Sequence, residues 1–401
     1  MTRVFIVGAK RTPIGRFGGS LSDVSAAKLG GISISAALLQ SNVPANQIDE
    51  VIVGNVLSAG QGMGPARQAS VHANIPHEVP AFTLNMICGS GMKTIVDASS
   101  KIKCGDANIV VAAGMENMSQ APYILDAKNR FGSKMGHQEV KDSLIKDGLT
   151  DAFHGYHMGV TAENVASYHK ITREEQDRFA LRSQHRALDA IESQRFENEI
   201  VAVEIENRGS TVLFSHDEYP RETTTFATLS KLKPAFDKAG TVTAGNASGI
   251  NDGSAAFVLA SEHVIDELSL EPIAEVISYG QGGVDPSVMG LGPVPAIRQA
   301  LKRASLQLTD MDLLELNEAF SAQALGVMKA LAEEHDVTMD WFDDKTNLNG
   351  GAIALGHPLG ASGGRILVTL LYEMIRQDKK LGLASLCIGG GMGTAVILKR
   401  P

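Results

Sequence analysis

Cys88 stands in a sequence setting that suits a reactive thiol. It comes directly before Gly89-Ser90-Gly91, and a helix is predicted to begin just after it. A helix N-terminus presents free N–H groups and positive potential, which lower a thiol pKa from about 8.5 and favour the thiolate. The glycines allow a sharp turn and the close approach of a ligand. The pattern indicates a nucleophile, and a buried cysteine in a tight turn would show the same pattern.

His357 lies in a second glycine-rich segment, residues 349–363, which leads into another predicted helix. Glycines on both sides let the backbone and the imidazole come close to a substrate. A histidine in such a place can act as a base or as a hydrogen-bond donor. A purely structural histidine is the alternative that this segment leaves open.

Cys387 and Asn317 each stand where a predicted strand ends. Cys387 enters a glycine turn, residues 389–393, whose N–H groups could hold a phosphate or a developing oxyanion. A disulfide between Cys387 and Cys88 is an alternative role for these residues, but a reducing compartment disfavours it. Asn317 precedes Glu318-Ala319-Phe320, where it could cap a helix or hold a catalytic water.

These segments depend on an alternation of strands and helices in the first part of the chain. Apolar runs at residues 4–7, 51–53 and 109–113 predict buried strands, with helices at about 25–39 and 91–102 between them. Such alternation is typical of an α/β layered fold.

The same order of elements returns late in the chain, which suggests an internal duplication. The predicted elements are strands at 273–277, 313–316, 382–387 and 394–398, and helices at 294–303, 318–333 and 362–375.

Residues 121–243 differ in composition from the rest of the chain, with mixed charges, many histidines and few long apolar runs. Helices are predicted at 161–168 and 172–196, the second opened by a capping box at Thr172 and Glu175. We interpret this segment as an insertion. The predicted division is residues 1–120 with 244–270 as an N-terminal half, 121–243 as an inserted loop domain, and 271–401 as a C-terminal half.

Composition and charge exclude several classes of function. The chain has 401 residues, 44% apolar and 20% charged, with a net charge of -9, which disfavours a general nucleic-acid binder. It holds no apolar run of the roughly 18 residues that a membrane span needs. Three cysteines are too few for a disulfide scaffold and fit no zinc pattern. With no secretion signal before residue 4 and no peroxisomal address at the end, a cytoplasmic protein is expected.

Taken together, the motifs resemble those of the thiolase family along nearly the whole chain. They are residues 11–15 (RTPIG), 85–93 (NMICGSGMK), 114–119 (GMENMS), 158–164 (MGVTAEN), 243–249 (TAGNASG), 317–320 (NEAF), 349–363 (NGGAIALGHPLGASG) and 387–393 (CIGGGMG). The resemblance implies a duplicated α-β-α-β-α five-layer architecture with an inserted coenzyme A-binding loop domain.

The resemblance also implies catalytic roles for individual residues. Cys88 would carry the acyl group as a thioester, and His357 would activate it. Asn317 would hold a water that stabilises the substrate oxygen together with His357. Cys387 would be the acid/base at the carbon next to the thioester, and the N–H groups of Cys88 and Gly389 would form a second oxyanion hole.

Coenzyme A or acetyl-CoA would be the substrate, and neither a prosthetic group nor a metal is implied. The residues at matching coenzyme A-binding positions are Leu149, His157, Met158, Arg221, Thr228, Phe236, Ala244, Ser248, Met289, Ala319 and Phe320. The partners implied are acyl-CoA molecules, with no nucleic acid and no membrane. The resemblance implies a homotetramer or a dimer. Residues 131–146 resemble a tetramerisation loop, so a homotetramer, a dimer of dimers, is favoured.

The implied reaction is the reversible cleavage of acetoacetyl-CoA, or the Claisen condensation of two acetyl-CoA molecules, through an acetyl-cysteine. His157 before Met158-Gly159 favours this short-chain chemistry over a broader-chain 3-ketoacyl-CoA thiolase. A ketoacyl synthase and a non-catalytic lipid or coenzyme A carrier are rivals. Cys387 in its glycine turn argues against the first, and the presence of both Cys88 and Cys387 against the second.

Overall fold

Strands and helices alternate along most of the chain in the computed structural model, which describes residues 2–207 and 209–401. The strands are β1 (Val4–Arg11), β2 (Gly15–Arg16), β3 (Glu50–Gly54), β4 (Ala81–Leu84), β5 (Ile109–Asn117), β6 (Tyr123–Leu125), β7 (Val140–Asp142), β8 (Val203–Asn207), β9 (Ser210–Phe214), β10 (Asn251–Ser261), β11 (Ala274–Gly283), β12 (Leu313–Leu316), β13 (Leu381–Ile388) and β14 (Met392–Lys399). Each apolar run that predicted a strand lies in one of them, except that β11 begins at Ala274, one residue after the predicted start.

The helices also follow the predicted order. They are α1 (Ala26–Ser41), α2 (Pro65–His72), α3 (Ser90–Cys104), α4 (Met158–Tyr168), α5 (Arg173–Glu192), α6 (Phe226–Leu229), α7 (Glu262–Leu268), α8 (Pro293–Ala304), α9 (Ser321–His335), α10 (Met339–Asp343), α11 (Ala352–Leu355) and α12 (Leu359–Arg376). The capping box that opens α5 at Thr172 and Glu175 is confirmed. The helix expected from 318 begins only at Ser321, so the expectation that Asn317 caps it is wrong.

Ten strands form one hydrogen-bonded sheet in the order β12-β13-β14-β11-β1-β10-β5-β3-β4, with β2 paired to β10. Its two parts meet at β1 and β11, where Phe5 pairs with Glu275 and Ile6 with Ala274. On the N-terminal side, β3 runs parallel to β5 and β5 antiparallel to β10. On the C-terminal side, β12 runs parallel to β13 and β13 antiparallel to β14. The matching pattern is the duplication that the sequence predicts.

The helices complete a five-layer α-β-α-β-α architecture. Helices α1 and α2 cover the outer face of the N-terminal strands, and α8 packs on the C-terminal strands. Helices α3 and α12 pack against each other and contact strands of both parts, so they form the middle layer. This layered arrangement is the predicted fold.

Three glycines allow the middle layer to pack closely. A Cβ on Gly114 of β5 would lie 2.3 Å from the carbonyl oxygen of Gly360 on α12 and 2.8 Å from Cα of Gly91 on α3. A Cβ on Gly91 would lie 2.8 Å from the same carbonyl oxygen. Side chains at these positions would push the two helices and the sheet apart.

Residues 121–243 carry two small antiparallel strand pairs, β6 with β7 and β8 with β9, and the helices α4 to α6. Arg11 of β1 is fully buried, and its ion pairs hold this segment against the sheet. Its guanidinium donates to Glu199 at 2.6 Å and, through two nitrogens, to Asp217 at 2.8 and 2.9 Å. Because the ion pairs are buried, losing one partner would leave an uncompensated charge.

Gly114→Ala tests the close packing of the middle layer. We expect it to lower the free energy of unfolding by about 1–3 kcal/mol, because the new methyl group overlaps backbone atoms of two helices. Urea denaturation followed by circular dichroism measures the change. Gly253→Ala on β10 is the control, because its Cβ would find the nearest atoms at 3.6 Å, an ordinary contact. Equal stability of the two variants would contradict the packing argument.

Candidate active site

Cys88 lies in the turn between β4 and α3, half-buried and facing a cavity. Ser90 holds the turn: its hydroxyl accepts from the N–H of Met86 at 2.8 Å and donates to the carbonyl of Ile87 at 2.7 Å. Ile87 has φ 49°, a left-handed conformation that is costly for a β-branched residue. Such strain is retained where the surroundings fix it, and here it orients the neighbouring thiol.

Burial raises the pKa of Cys88 to about 11. The backbone N–H groups of Gly389 and of Cys88 itself donate toward the sulfur and oppose that shift, whereas the charge of Glu116 adds to it. The expectation that the helix N-terminus lowers this pKa is therefore wrong for the resting protein, because removal of the thiol from water outweighs the N–H groups. Cys88 rests as a thiol and needs a base.

His357 lies directly before α12, and its N–H donates to Asn251 at 3.0 Å. Gly356, with φ 106°, makes the bend that precedes it. The ring nitrogen Nδ1 of His357 lies 2.6 Å from the hydroxyl of Ser362. Burial, with a smaller effect from the charge of Arg365, lowers the pKa of His357 to about 4. The imidazole is therefore neutral at physiological pH and can accept a proton.

Asn317 follows β12 and lies behind His357. Its amide nitrogen is 3.5 Å from His357 Nδ1. Its buried oxygen Oδ1 has no hydrogen-bond partner among residues 2–207 and 209–401. A buried acceptor without a partner is costly, and a bound water would satisfy it.

Cys387 is buried at the end of β13 and faces the same cavity as Cys88. Burial raises its pKa far above the ordinary range, and the neighbouring Cys88 adds to the shift. Gly390 and Gly391, with φ 87° and 88°, turn the chain back into β14. Gly389 lines the cavity in this turn, with its N–H toward Cys88.

Glu116, at the end of β5, was not singled out from the sequence, yet it joins the loops of the site. Its fully buried carboxylate accepts from the N–H groups of Val56 at 3.0 Å, Leu57 at 3.1 Å and Gly360 at 2.9 Å, and from the Asn55 amide at 2.8 Å. It therefore ties the start of α12 to the loop after β3. Burial raises its pKa to about 7.

A cavity of about 510 Å³ brings most of the predicted residues together. Its lining includes Cys88, Leu149, His157, Met158, Arg221, Phe236, Ala244, Ser248, Met289, Ala319, Phe320, His357, Cys387 and Gly389. Thr228 lines an adjoining cavity of about 210 Å³, which shares Arg221 and Ala244 with the first. Among the predicted residues, Asn317 lines neither of these two cavities.

Several lining residues were missed by sequence reasoning. Tyr219 faces both cavities, and the guanidinium of Arg221 lies 5.4 Å from its ring centre. Met118 and Leu359 give the cavity apolar walls beside Cys88. Met118 and Leu359 lie inside the quoted motifs 114–119 and 349–363, which were the available signal, whereas Tyr219 lies in no quoted motif.

Three aromatic rings form another part of the cavity lining. His157 stacks on Phe236 with ring centres 4.6 Å apart, and Phe236 meets Phe320 edge-on at 6.1 Å. The Nδ1 atom of His157 accepts from the N–H of Gly159 at 3.0 Å. Since that nitrogen is an acceptor and burial lowers the pKa of His157, the ring presents a neutral surface to the cavity.

Within residues 2–207 and 209–401, no helix is long and apolar enough to cross a membrane. The same residues include no group of three or more His, Cys, Asp or Glu side chains placed to hold a metal ion.

Comparisons with known proteins agree with this geometry. Family models described as "Thiolase, N-terminal domain" and "Thiolase, C-terminal domain" match residues 4–263 and 270–400. An acetyl-CoA acetyltransferase of Syntrophomonas wolfei is 53% identical over the full length of both chains. The chain therefore belongs to the thiolase family, and it is an acyltransferase.

Solved structures show the same fold. The Bacillus anthracis acetyl-CoA acetyltransferase superposes with a TM-score of 0.95 at 44% identity, covering 100% of this chain and 99% of that one. Human mitochondrial 3-ketoacyl-CoA thiolase in complex with CoA superposes with a TM-score of 0.93 at 45% identity, covering 100% of this chain and 98% of that one.

The protonation states predict how Cys88 responds to pH. The thiolate is the reactive form and the pKa of Cys88 is about 11, so alkylation of Cys88 by iodoacetamide should rise about tenfold per pH unit between pH 6 and 8. His357 does not titrate in this range, so His357→Ala should keep that slope. Mass spectrometry of the Cys88 peptide measures both rates, with exposed Cys104 as an internal reference. A flat profile in the unaltered protein would show that Cys88 is already ionised at pH 6 and would contradict the raised pKa.

Proposed function

We propose that this chain is an acetyl-CoA C-acetyltransferase that cleaves acetoacetyl-CoA with coenzyme A and catalyses the reverse condensation. The observation that carries the proposal is that Cys88, His357 and Cys387 line one cavity, with backbone N–H groups directed at the Cys88 sulfur. The full-length similarity to proteins named acetyl-CoA acetyltransferase supports the short-chain substrate over a broader range of chain lengths.

In cleavage, the first half forms the acetyl-enzyme. His357 takes the thiol proton of Cys88, and the sulfur attacks the ketone carbon of acetoacetyl-CoA. The bond between that carbon and the methylene breaks, its electron pair forms the enolate of acetyl-CoA, and Cys387 gives its proton to the enolate carbon. The first acetyl-CoA leaves, with the other acetyl group on Cys88.

The second half transfers that acetyl group to coenzyme A. The Cys387 thiolate takes the proton of the coenzyme A thiol, whose sulfur attacks the acetyl-cysteine carbonyl. Cys88 leaves as a thiolate and recovers its proton from His357. Both cysteines and the histidine return to their starting forms, and two acetyl-CoA molecules have been made from acetoacetyl-CoA and coenzyme A.

Two groups of donors would stabilise the negative oxygens formed along this path. The N–H groups of Cys88 and Gly389, which point at the Cys88 sulfur, would serve an oxygen on the carbon bound to that sulfur. A water on Asn317 Oδ1, together with His357, would serve the thioester oxygen of the enolate. Fixed donors of this kind are commonly worth about 3–4 kcal/mol each in transition-state stabilisation.

We assign coenzyme A to the large cavity and its neighbour, which together carry all eleven predicted binding residues. The aromatic wall of His157, Phe236 and Phe320 suits the apolar part of the pantetheine arm. Exposed Arg221 suits a phosphate. Most of these residues lie in 121–243, which supports the division into 1–120 with 244–270, 121–243, and 271–401.

Replacing Cys88 and Cys387 one at a time tests the separate roles proposed for them. With labelled acetyl-CoA, Cys88→Ala should give no acetylated protein, because the nucleophile is gone. Cys387→Ala should still acetylate Cys88 but lose condensation by at least about 100-fold, because no group then removes the methyl proton. Mass spectrometry of the Cys88 peptide and acetoacetyl-CoA formation are the two readouts.

The control is Cys104→Ala, which removes an exposed thiol outside the cavity and should leave both readouts unchanged. Full condensation by Cys387→Ala would contradict the assigned role of that residue. Faster cleavage of a ketoacyl-CoA of about ten carbons than of acetoacetyl-CoA would contradict the short-chain assignment.

We further propose a homotetramer in the cytoplasm. Support for assembly comes from exposed apolar side chains on residues 123–140, among them Phe131, 87% exposed, and Met135, 96% exposed. Apolar groups this exposed on a soluble surface commonly mark a contact with another protein. Cysteine usage favours a reducing compartment.

The assembly proposal predicts a change in mass when these side chains are made polar. Phe131→Ser with Met135→Ser should convert tetramers into dimers, because the apolar contact between dimers is lost. Light scattering after size-exclusion chromatography measures the mass. Leu39→Ser, on the outer face of α1 and 82% exposed, is the control and should leave the mass unchanged. A double variant that remains tetrameric would place the contact elsewhere.

A further inference from the structure

Glu116 on β5 is fully buried and receives hydrogen bonds from two separate parts of the chain. Its Oε1 accepts from the Asn55 amide at 2.8 Å and from the Leu57 N–H at 3.1 Å. Its Oε2 accepts from the N–H groups of Val56 at 3.0 Å and Gly360 at 2.9 Å. A carboxylate offers two lone pairs on each oxygen, so these four donors use all of them. A protonated carboxyl or an amide would turn a hydrogen toward an N–H group, so only the ionised side chain satisfies all four donors.

The loop on one side of this carboxylate, residues 55–57, also holds the turn that carries Cys88. The side chain of Asn85 joins the loop to the turn. Its amide donates to the carbonyl of Val56 at 3.4 Å, and its oxygen accepts from the N–H of Ile87 at 2.9 Å, directly before Cys88. A displacement of the loop would therefore be passed on to the nucleophile.

The donor on the other side, Gly360, lies in the first turn of α12, three residues after His357. N–H groups in the first turn of a helix have no acceptor within the helix. Pro358 at the N-cap has no side-chain oxygen that could supply one. The carboxylate of Glu116 supplies it from another element, and the helix dipole favours a negative charge at this end. Glu116 therefore caps α12 and fixes its first turn, which follows His357.

We propose that Glu116 is a positioning residue, whose ionised carboxylate fixes the place of His357 relative to the thiol of Cys88. It does so by joining residues 55–57, which hold the Cys88 turn, to the helix that follows His357. The inference rests on the proposed function in taking Cys88 as the nucleophile and His357 as its base. Glu116 itself is not part of the lining of the large cavity, so it acts through these two residues and not on the substrate.

Glu116→Gln tests the inference with almost no change in volume. In either orientation the amide turns its NH₂ group toward two N–H donors, so the bonds of one oxygen are lost. At pH 8, above the Glu116 pKa of about 7, the unaltered side chain is ionised. There we expect single-turnover acetylation of Cys88 by acetyl-CoA to slow about 10- to 100-fold, because small misplacements of reacting groups are costly. Quenched reactions and mass spectrometry of the Cys88 peptide measure the rate.

The dependence on substrate concentration should change little in the same variant. The acetyl-CoA concentration that gives half the maximal rate should shift by less than about threefold, because the lost bonds affect the reacting pair and not substrate binding.

A double-mutant cycle with His357→Ala separates positioning from a general loss of structure. Once the imidazole is gone, its place relative to Cys88 no longer matters. Adding Glu116→Gln to His357→Ala should therefore slow acetylation by less than about a further twofold, whereas a general packing defect would multiply the two effects. Glu373→Gln is the matched control, because it changes a buried carboxylate near the other end of α12 that accepts from the Asn349 amide at 2.9 Å. It should leave the rate unchanged.

These rates distinguish failure of the inference from failure of the proposed function. Normal acetylation in Glu116→Gln, equal slowing in Glu373→Gln, or effects that multiply in the double variant would each overturn the role of Glu116. Normal acetylation in His357→Ala would instead overturn that residue as the base. If Glu116→Gln does not fold, Glu116→Asp replaces it in the cycle, because its shorter carboxylate keeps the charge but cannot reach all four donors. The same outcomes would then refute the inference.

Discussion

The close approach of α3 and α12 is the constraint on which the rest of the molecule depends. It requires Gly91, Gly114 and Gly360, since a Cβ at Gly91 or Gly114 would overlap backbone atoms of the neighbouring elements. The two helices begin side by side in the middle layer, and each is preceded by a reactive residue, Cys88 before α3 and His357 before α12. Tight helix packing thus brings a thiol and a base into one cavity from positions 269 residues apart in the chain.

Burial determines the chemistry of the groups brought together there. It raises the pKa of Cys88 to about 11 and lowers that of His357 to about 4, so the resting pair is neutral. A neutral pair costs less to bury than a thiolate with an imidazolium, and it needs a proton transfer to become reactive. The N–H groups of Gly389 and Cys88 already point at the sulfur, where this transfer would place negative charge.

The sequence predicted the elements and the position of each reactive residue because both leave local signals. Apolar runs identified β1, β3, β5 and β12, and glycines marked the turns beside Cys88 and Cys387. Long-range properties left no such signal. Burial that keeps Cys88 protonated depends on the packed layers, and the four hydrogen bonds of Glu116 join loops far apart in the chain. Tyr219 likewise reaches the cavity only through the fold, and α9 begins late because Phe320 remains extended.

The duplication explains how the two halves of the chain contribute different groups to the same site. The two halves place α3 and α12 equivalently, each before the strand that runs parallel to its neighbour, β5 in one half and β13 in the other. Cys88 and His357 precede the two helices, while the strand ends carry Glu116 in one half and Cys387 in the other. Glu116 accepts four hydrogen bonds and ties loops together. Cys387 instead faces the cavity, where it lies with Cys88 and His357. The penultimate residue of the strand is thus a structural anchor in one half and a cavity-lining thiol in the other.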